Sequence, residues 1–177
     1  KSYLLAGLLI DDVSNYALLS GVHAVKKDGV YHRGMEGFCA EQNMVQVPLA
    51  VLSEWERMEC DHNEIWIVEN PSIFARLCGE HPCMCMNGQP RLAGLLVLDL
   101  LAEAGTVIHY AGDLDPEGLL IAQRLKERYG ESICLWNYRA DWYERYLSDV
   151  NLSEVRMKKL EKVYLPELLE VKMQMQK

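Results

Sequence analysis

Three acids in the stretch "GDLDPEG", residues 112–118, are the residues whose types and spacing are best suited to chemistry. Asp113, Asp115 and Glu117 stand where the apolar run "TVIHYA" meets the helix-like run "GLLIAQRLKERY". Two readings compete. In the first, Asp115 caps a helix whose first position is Pro116, and Glu117 adds favourable charge in the first turn; such a cap is worth about 1 kcal/mol. That reading leaves Asp113 unexplained, because a second carboxylate two residues upstream gains nothing from the cap and is repelled by Asp115. Glu69 is equally unexplained: it closes the apolar run "IWIV", where a carboxylate costs desolvation unless it is paired or binds a cation. In the second reading a divalent ion answers both points, and Mg²⁺ in particular takes one or two carboxylates together with waters and phosphate oxygens. An Asp-x-Asp spacing by itself is weak, since sugar-nucleotide transferases and dehalogenase-type phosphatases carry it too. A phosphatase wants Thr or Val soon after the second Asp, where Pro116 and Glu117 stand here.

The elements that must position these acids follow from periodicity. "EIWIVEN" is a buried strand, "PSIFARLCG" a short helix opened by Pro71, and "PCMCMNG" a second short strand. "QPRLAGLLVLDLLAEAG" is a long helix ended by Gly105, "TVIHYAGD" a strand, "PEGLLIAQRLKERYG" a helix closed by Gly130, and "SICLWN" a further strand. This alternation predicts an α/β fold, a Rossmann-like parallel sheet of about four strands flanked by helices. In such a sheet function collects at the carboxyl ends of the strands, which is where Glu69, "NGQP" (87–90) and Asp113 lie.

Ahead of this core, "NYALLSGVHAV" and "VYHRGMEGFC" flank "KKDG", a hairpin signal at Asp28-Gly29, and "VPLAVLSEWERME" has the spacing of an amphipathic helix. We therefore expect an accessory hairpin and helix over 1–60, a core over 61–140 and a helical extension over 141–177, with Pro166 marking a break or a helix start.

Composition sets bounds. The 177 residues are half apolar and carry a net charge of −8, which argues against broad electrostatic binding of nucleic acid. Local basic groups remain at Lys26, Lys27 and Arg33, at Arg124, Lys126 and Arg128, and at Arg156, Lys158, Lys159 and Lys162; solvated helix faces are the plain account of them. Six cysteines without a framework suggest reduced thiols, and the absence of a secretory signal or a bilayer-length apolar run suggests a cytoplasmic chain with no membrane attachment. The sequence opens on Lys1, as a piece of a longer chain would.

Other groups have bland accounts beside sharp ones. Cys78, His81, Cys83 and Cys85 have the chemistry of zinc ligands but poor spacing, and read as small buried hydrophobes. Arg91, in the first turn of a helix, is either a phosphate fork or a solvated arginine. Tyr110 alternates away from its neighbours and packs. Trp142, Tyr143 and Tyr146, with Arg139 and Arg145 interleaved, either pack on the sheet or stack on bases.

A glutamate ending one strand of a parallel sheet and Asp-x-Asp ending a later one resemble the Toprim domain. "VENP", then "NGQP" opening a helix, then "YAGDLDPEGLLIA" look like the Toprim part of the SMC-associated nuclease subunits of Wadjet-type plasmid defence. More remotely they are similar to the A subunit of topoisomerase VI. The resemblance covers roughly residues 60 to 150. It implies that Glu69 is a metal ligand or general base, that Asp113 and Asp115 hold Mg²⁺ or Mn²⁺, and that Glu117 is a further metal residue beside them. Gly88 and Gln89 would shape the neighbouring loop, and Gly112 and Gly118 would let backbone approach metal or phosphate. It further implies a metal-dependent DNA endonuclease whose partners are DNA and SMC-type subunits, with DNA affinity supplied by those partners. No winged-helix tyrosine for strand passage is recognisable. Two rivals stand beside it: a non-catalytic Toprim-like docking module, and a glycosyltransferase, which would need a larger nucleotide-binding half.

Overall fold

From residue 64 onward the capped helices and apolar runs fold as their periodicity predicts. The computed structural model describes residues 11–88, 90–146 and 152–177. The architecture is mixed α/β, with a mostly parallel central sheet flanked by helices. The chain divides into two units, residues 1–108 and 109–177.

In the first unit β5 (Glu64–Val68) and β6 (Cys83–Cys85) pair in parallel, Trp66 opposite Cys83 and Val68 opposite Cys85. Between them runs α3 (Pro71–Leu77), started by Asn70, whose side chain accepts from the Ser72 N–H at 2.8 Å, and by Pro71 at its first position. α4 (Leu92–Glu103) follows β6 and ends before Gly105, whose φ of 76° needs a glycine. Ile65, Ile67, Met84, Leu98 and Leu101 are fully buried in this core. β7 (Val107–Ala111) follows β5 in strand order, and its first two residues close the unit.

The region ahead of β5 departs from expectation. β1 (Tyr16–Ser20) and β3 (Met44–Pro48) pair antiparallel with each other, and β1 also pairs antiparallel with β6. β1 and β3 thus extend the sheet that holds β5 and β6, while β2 lies in a separate two-stranded sheet. The turn at Asp28-Gly29 does form, with Gly29 at φ 78° and its N–H donating to the Lys26 carbonyl at 2.8 Å. The expected second hairpin strand lasts one bridge, Val25 to Tyr31. His32 then accepts from the Met35 N–H at 3.3 Å and starts α1 (Arg33–Ala40). Of the stretch 47–59 expected as a helix, only α2 (Leu49–Leu52) is helical; after a turn, β4 (Trp55–Cys60) follows and pairs with β2 (Val22–Lys26).

In the second unit β7 continues through His109–Ala111 and leads to α5 (Pro116–Tyr129), closed by Gly130 at φ 54°. β8 (Ile133–Leu135) lies next to β7, and the Trp136 N–H donates to the Tyr110 carbonyl at 2.8 Å. The extension is helical as expected: α6 (Ala140–Arg145), α7 (Glu154–Leu160), a 3₁₀ turn opened by Pro166, and α8 (Leu169–Met175). One buried side chain on α5 ties the tail down. Gln123 accepts from the N–H groups of Tyr164 and Leu165 at 2.8 and 3.2 Å, and donates to the Lys162 carbonyl at 3.3 Å. Among the described residues, no helix is long and apolar enough to cross a membrane.

Candidate metal centre

The loop after β7 is shaped by its glycines. A Cβ on Gly118 would overlap the Asp113 carbonyl oxygen and stand 2.9 Å from the carbonyl carbon, so only glycine lets the first turn of α5 close on the Asp113 backbone. The Gly118 N–H is taken by Asp115, whose Oδ1 accepts from it at 2.7 Å as the helix cap. The Gly112 N–H is likewise taken, donating to the Tyr138 hydroxyl at 2.8 Å. Both N–H groups are thus used within the chain. Tyr110, fully buried, packs inside as expected.

The three acids have different surroundings. Asp113 is exposed and has no polar side-chain partner among the described residues. Partial burial of its carboxyl, and then the nearby Asp115 charge, push its pKa above the usual aspartate range. Asp115 divides its oxygens between the cap and Arg156, whose Nη2 lies 2.6 Å from Oδ2. Glu117 is fully engaged: the Arg156 Nε donates to one oxygen and the Lys159 Nζ to the other, each at 2.9 Å. These two cations hold its carboxyl down to about 2. Glu117 thus anchors α7, with both of its oxygens engaged within the chain. Arg156 and Lys159, expected as part of a solvated basic face, instead meet the acids of this loop. Their spacing of three on one helix face was the available signal, but nothing local names the acids they meet.

The pairing has a pH signature. Glu117 has a folded pKa below its ordinary 4.5, so the stability it contributes is complete above about 4.5 and is lost as pH falls toward about 2. Glu117 and Arg156 are 32% and 35% exposed, and solvent screening keeps the contribution near 1 kcal/mol. Urea midpoints measured from pH 5 to 2 should fall more steeply for the wild type than for Glu117→Gln; parallel acid slopes would show that the pairing contributes nothing.

In the first unit, Glu69 is buried at 7% exposure just past the end of β5. The neighbouring turn is tight: Asn87 and Gly88 both have positive φ, 52° and 91°, and a Cβ at Gly88 would meet nothing, so Gly88 serves backbone conformation rather than packing. Gln89 lies outside the described residues. Arg91 is exposed at the N-cap position of α4 and makes no side-chain cap bond. Cys83 and Cys85 are buried, and desolvation raises both thiols.

Among the described residues, no three His, Cys, Asp or Glu side chains are grouped to hold a metal ion. Mg²⁺ needs fewer protein ligands than that, because it keeps several waters. Asp113, a hard-oxygen carboxylate without a side-chain partner among the described residues, fits such an ion, and Asp115 would have to share with it oxygens that already meet the Gly118 N–H and Arg156. Residues 45–177 match the family described as "Protein of unknown function C-terminus (DUF2399)". No curated protein matches the chain.

Proposed function

We propose that the chain, which belongs to the DUF2399 family, is a divalent-metal-dependent DNA endonuclease with a Toprim-like acidic loop, working in the cytoplasm within a larger DNA-processing or plasmid-defence complex that includes SMC-type subunits. The observation that carries the reading is Asp113: a carboxylate just past a strand end, without a side-chain partner among the described residues, beside a second carboxylate. Folding alone gives no reason to keep that charge there, whereas an ion does.

Mg²⁺ or Mn²⁺ would supply a Lewis acid and a bound water of lowered pKa. Asp113 and Asp115 would be its protein ligands, with Asp115 kept in one rotamer by its bonds to Gly118 and Arg156. Glu69, a buried acid just past the end of β5, would take the ligand or general-base role that the Toprim resemblance gives it. Arg91, exposed and forked, is suited to a DNA phosphate. The negative overall charge fits an enzyme whose DNA grip comes largely from other subunits.

A second reading has one observation in its favour. Asp115 and Glu117 are satisfied within the chain by Arg156 and Lys159, as they would be in a docking module that performs no chemistry. Supercoiled plasmid separates the two. With Mg²⁺ or Mn²⁺ the wild type should nick it, EDTA should stop nicking, and Glu69→Gln should slow it by roughly 100-fold. Nicking that survives EDTA, or is equal in wild type and variant, would leave the docking reading.

A further inference from the structure

Beside the acidic loop, the second unit keeps two large aromatic side chains open. Trp142 on α6 and Tyr146 just after it stack one helical turn apart, with ring centroids 5.6 Å apart and planes at 25°. Sequence spacing favours packing for such a pair. Instead Trp142 is 38% exposed and Tyr146 67%. Together with Tyr143, Leu114, Asp115 and Arg156 they line a cavity of about 160 Å³. Trp142 also borders a second open cleft with Asp141 and Arg145.

We propose that this cavity is a stacking subsite for one unpaired base of single-stranded DNA, lying next to the metal-binding acids. The proposal rests on the nuclease reading for the identity of the polymer. Four features point to a base. The volume is below the roughly 300–1,000 Å³ of a whole small-molecule site, so it suits a single planar unit of something longer. Two aromatic faces left in water are what base stacking uses, whatever the sequence. Arg145 has no hydrogen-bond or ion-pair partner among the described residues, which leaves a cation for the backbone phosphate, whereas Arg139 is bound to Asp141 at 2.9 Å. Arg156 lines the cavity with an Nη1 that no described residue bonds, its Nε and Nη2 being taken by Glu117 and Asp115, which leaves a donor for the edge of a base. In a duplex, stacking covers both faces of a base and pairing takes its edge, so the duplex must be opened, or the base flipped, before the subsite fills.

The subsite is tested with hydrolysis switched off. In EDTA, binding of a short dye-labelled oligodeoxythymidine to the full chain is followed by anisotropy, with the same sequence as duplex in competition. The wild type should bind the single strand in preference to duplex. Trp142→Ala should weaken binding about tenfold, within the 1–3 kcal/mol of one stacked base; Tyr146→Ala should weaken it less, and Trp142→Phe should keep most of it. Should Trp142→Ala shift the urea midpoint, Tyr146→Ala, at an outward-facing position, decides. Wild-type affinity in the alanine variants, equal binding of duplex, or no binding of the single strand by the wild type would each overturn the subsite. A wild type that binds the oligonucleotide but never nicks plasmid leaves the subsite standing and removes the nuclease.

Discussion

Gly118→Ala is expected to unfold at markedly lower urea than the wild type, even though helix propensity alone predicts a gain of about 1 kcal/mol for alanine over glycine inside a helix. Contact decides the sign. The added methyl would overlap the Asp113 carbonyl oxygen and lie 2.9 and 3.2 Å from the carbonyl carbon and Cα of the same residue. All three atoms are backbone, so no side chain can swing aside. Relief requires the loop and the first turn of α5 to separate, which strains the Asp115 cap on the Gly118 N–H and the Arg156 bond beside it. A cost of about 3 kcal/mol, at the upper end for overpacking, is the expectation. A midpoint equal to or above that of the wild type would show that the junction is looser than described.

Asp113→Asn should separate activity from stability. Plasmid nicking should fall by roughly 100-fold or more, because losing a carboxylate ligand removes several kcal/mol of metal-borne stabilisation. In EDTA the same variant should be slightly more stable than the wild type. The folded pKa of Asp113 lies above its ordinary 3.8, so its cost to the fold is absent below that pH, where both states are protonated. The cost grows as pH rises through 3.8 and is complete above the folded pKa. The advantage of asparagine should grow over the same interval, damped by the exposure of the residue. Mg²⁺ should then raise the wild-type midpoint by binding the folded state and leave the variant unchanged. A wild type indifferent to Mg²⁺, or an asparagine variant that nicks normally, would remove Asp113 from the proposed chemistry.

The parts of the fold legible in the sequence are those where local rules act alone. Pro71 and Pro116 behind Asn70 and Asp115 mark helix starts, Gly105 and Gly130 mark ends, and the apolar runs between them become β5 to β8. The region ahead of them misled for a definable reason. Trp55 and Met58 are both buried, three apart, which is a helical interval. They are both buried on a strand because the register of β2 against β4 shifts between Val25 and Lys26, so Lys26 meets Trp55 after Val25 meets Arg57. One extra residue resets the alternation, and no single-strand pattern shows that in advance. α1 was hidden by Gly34 and Gly37, poor helix formers held in place by the His32 cap and the burial of Met35. In the candidate site the sequence pointed to Asp113 and Glu69 through what a cap cannot explain, and to Asp115 through its spacing from Asp113. It could not separate Glu117 from them, because that distinction rests on Arg156 and Lys159, some forty residues away.

Gln123 carries a consequence for how this chain can vary. Its amide is a two-sided fitting, with the oxygen receiving two backbone N–H groups from the tail and the nitrogen reaching a carbonyl. Glutamate, nearly the same shape, has no proton for the Lys162 carbonyl and would bring a charge into a buried place. Leucine would orphan all three main-chain groups, and asparagine is one methylene too short. Position 123 is therefore nearly closed to substitution although it performs no chemistry, and variation in the tail from 162 to 165 is confined to side chains, since what α5 grips there is main chain.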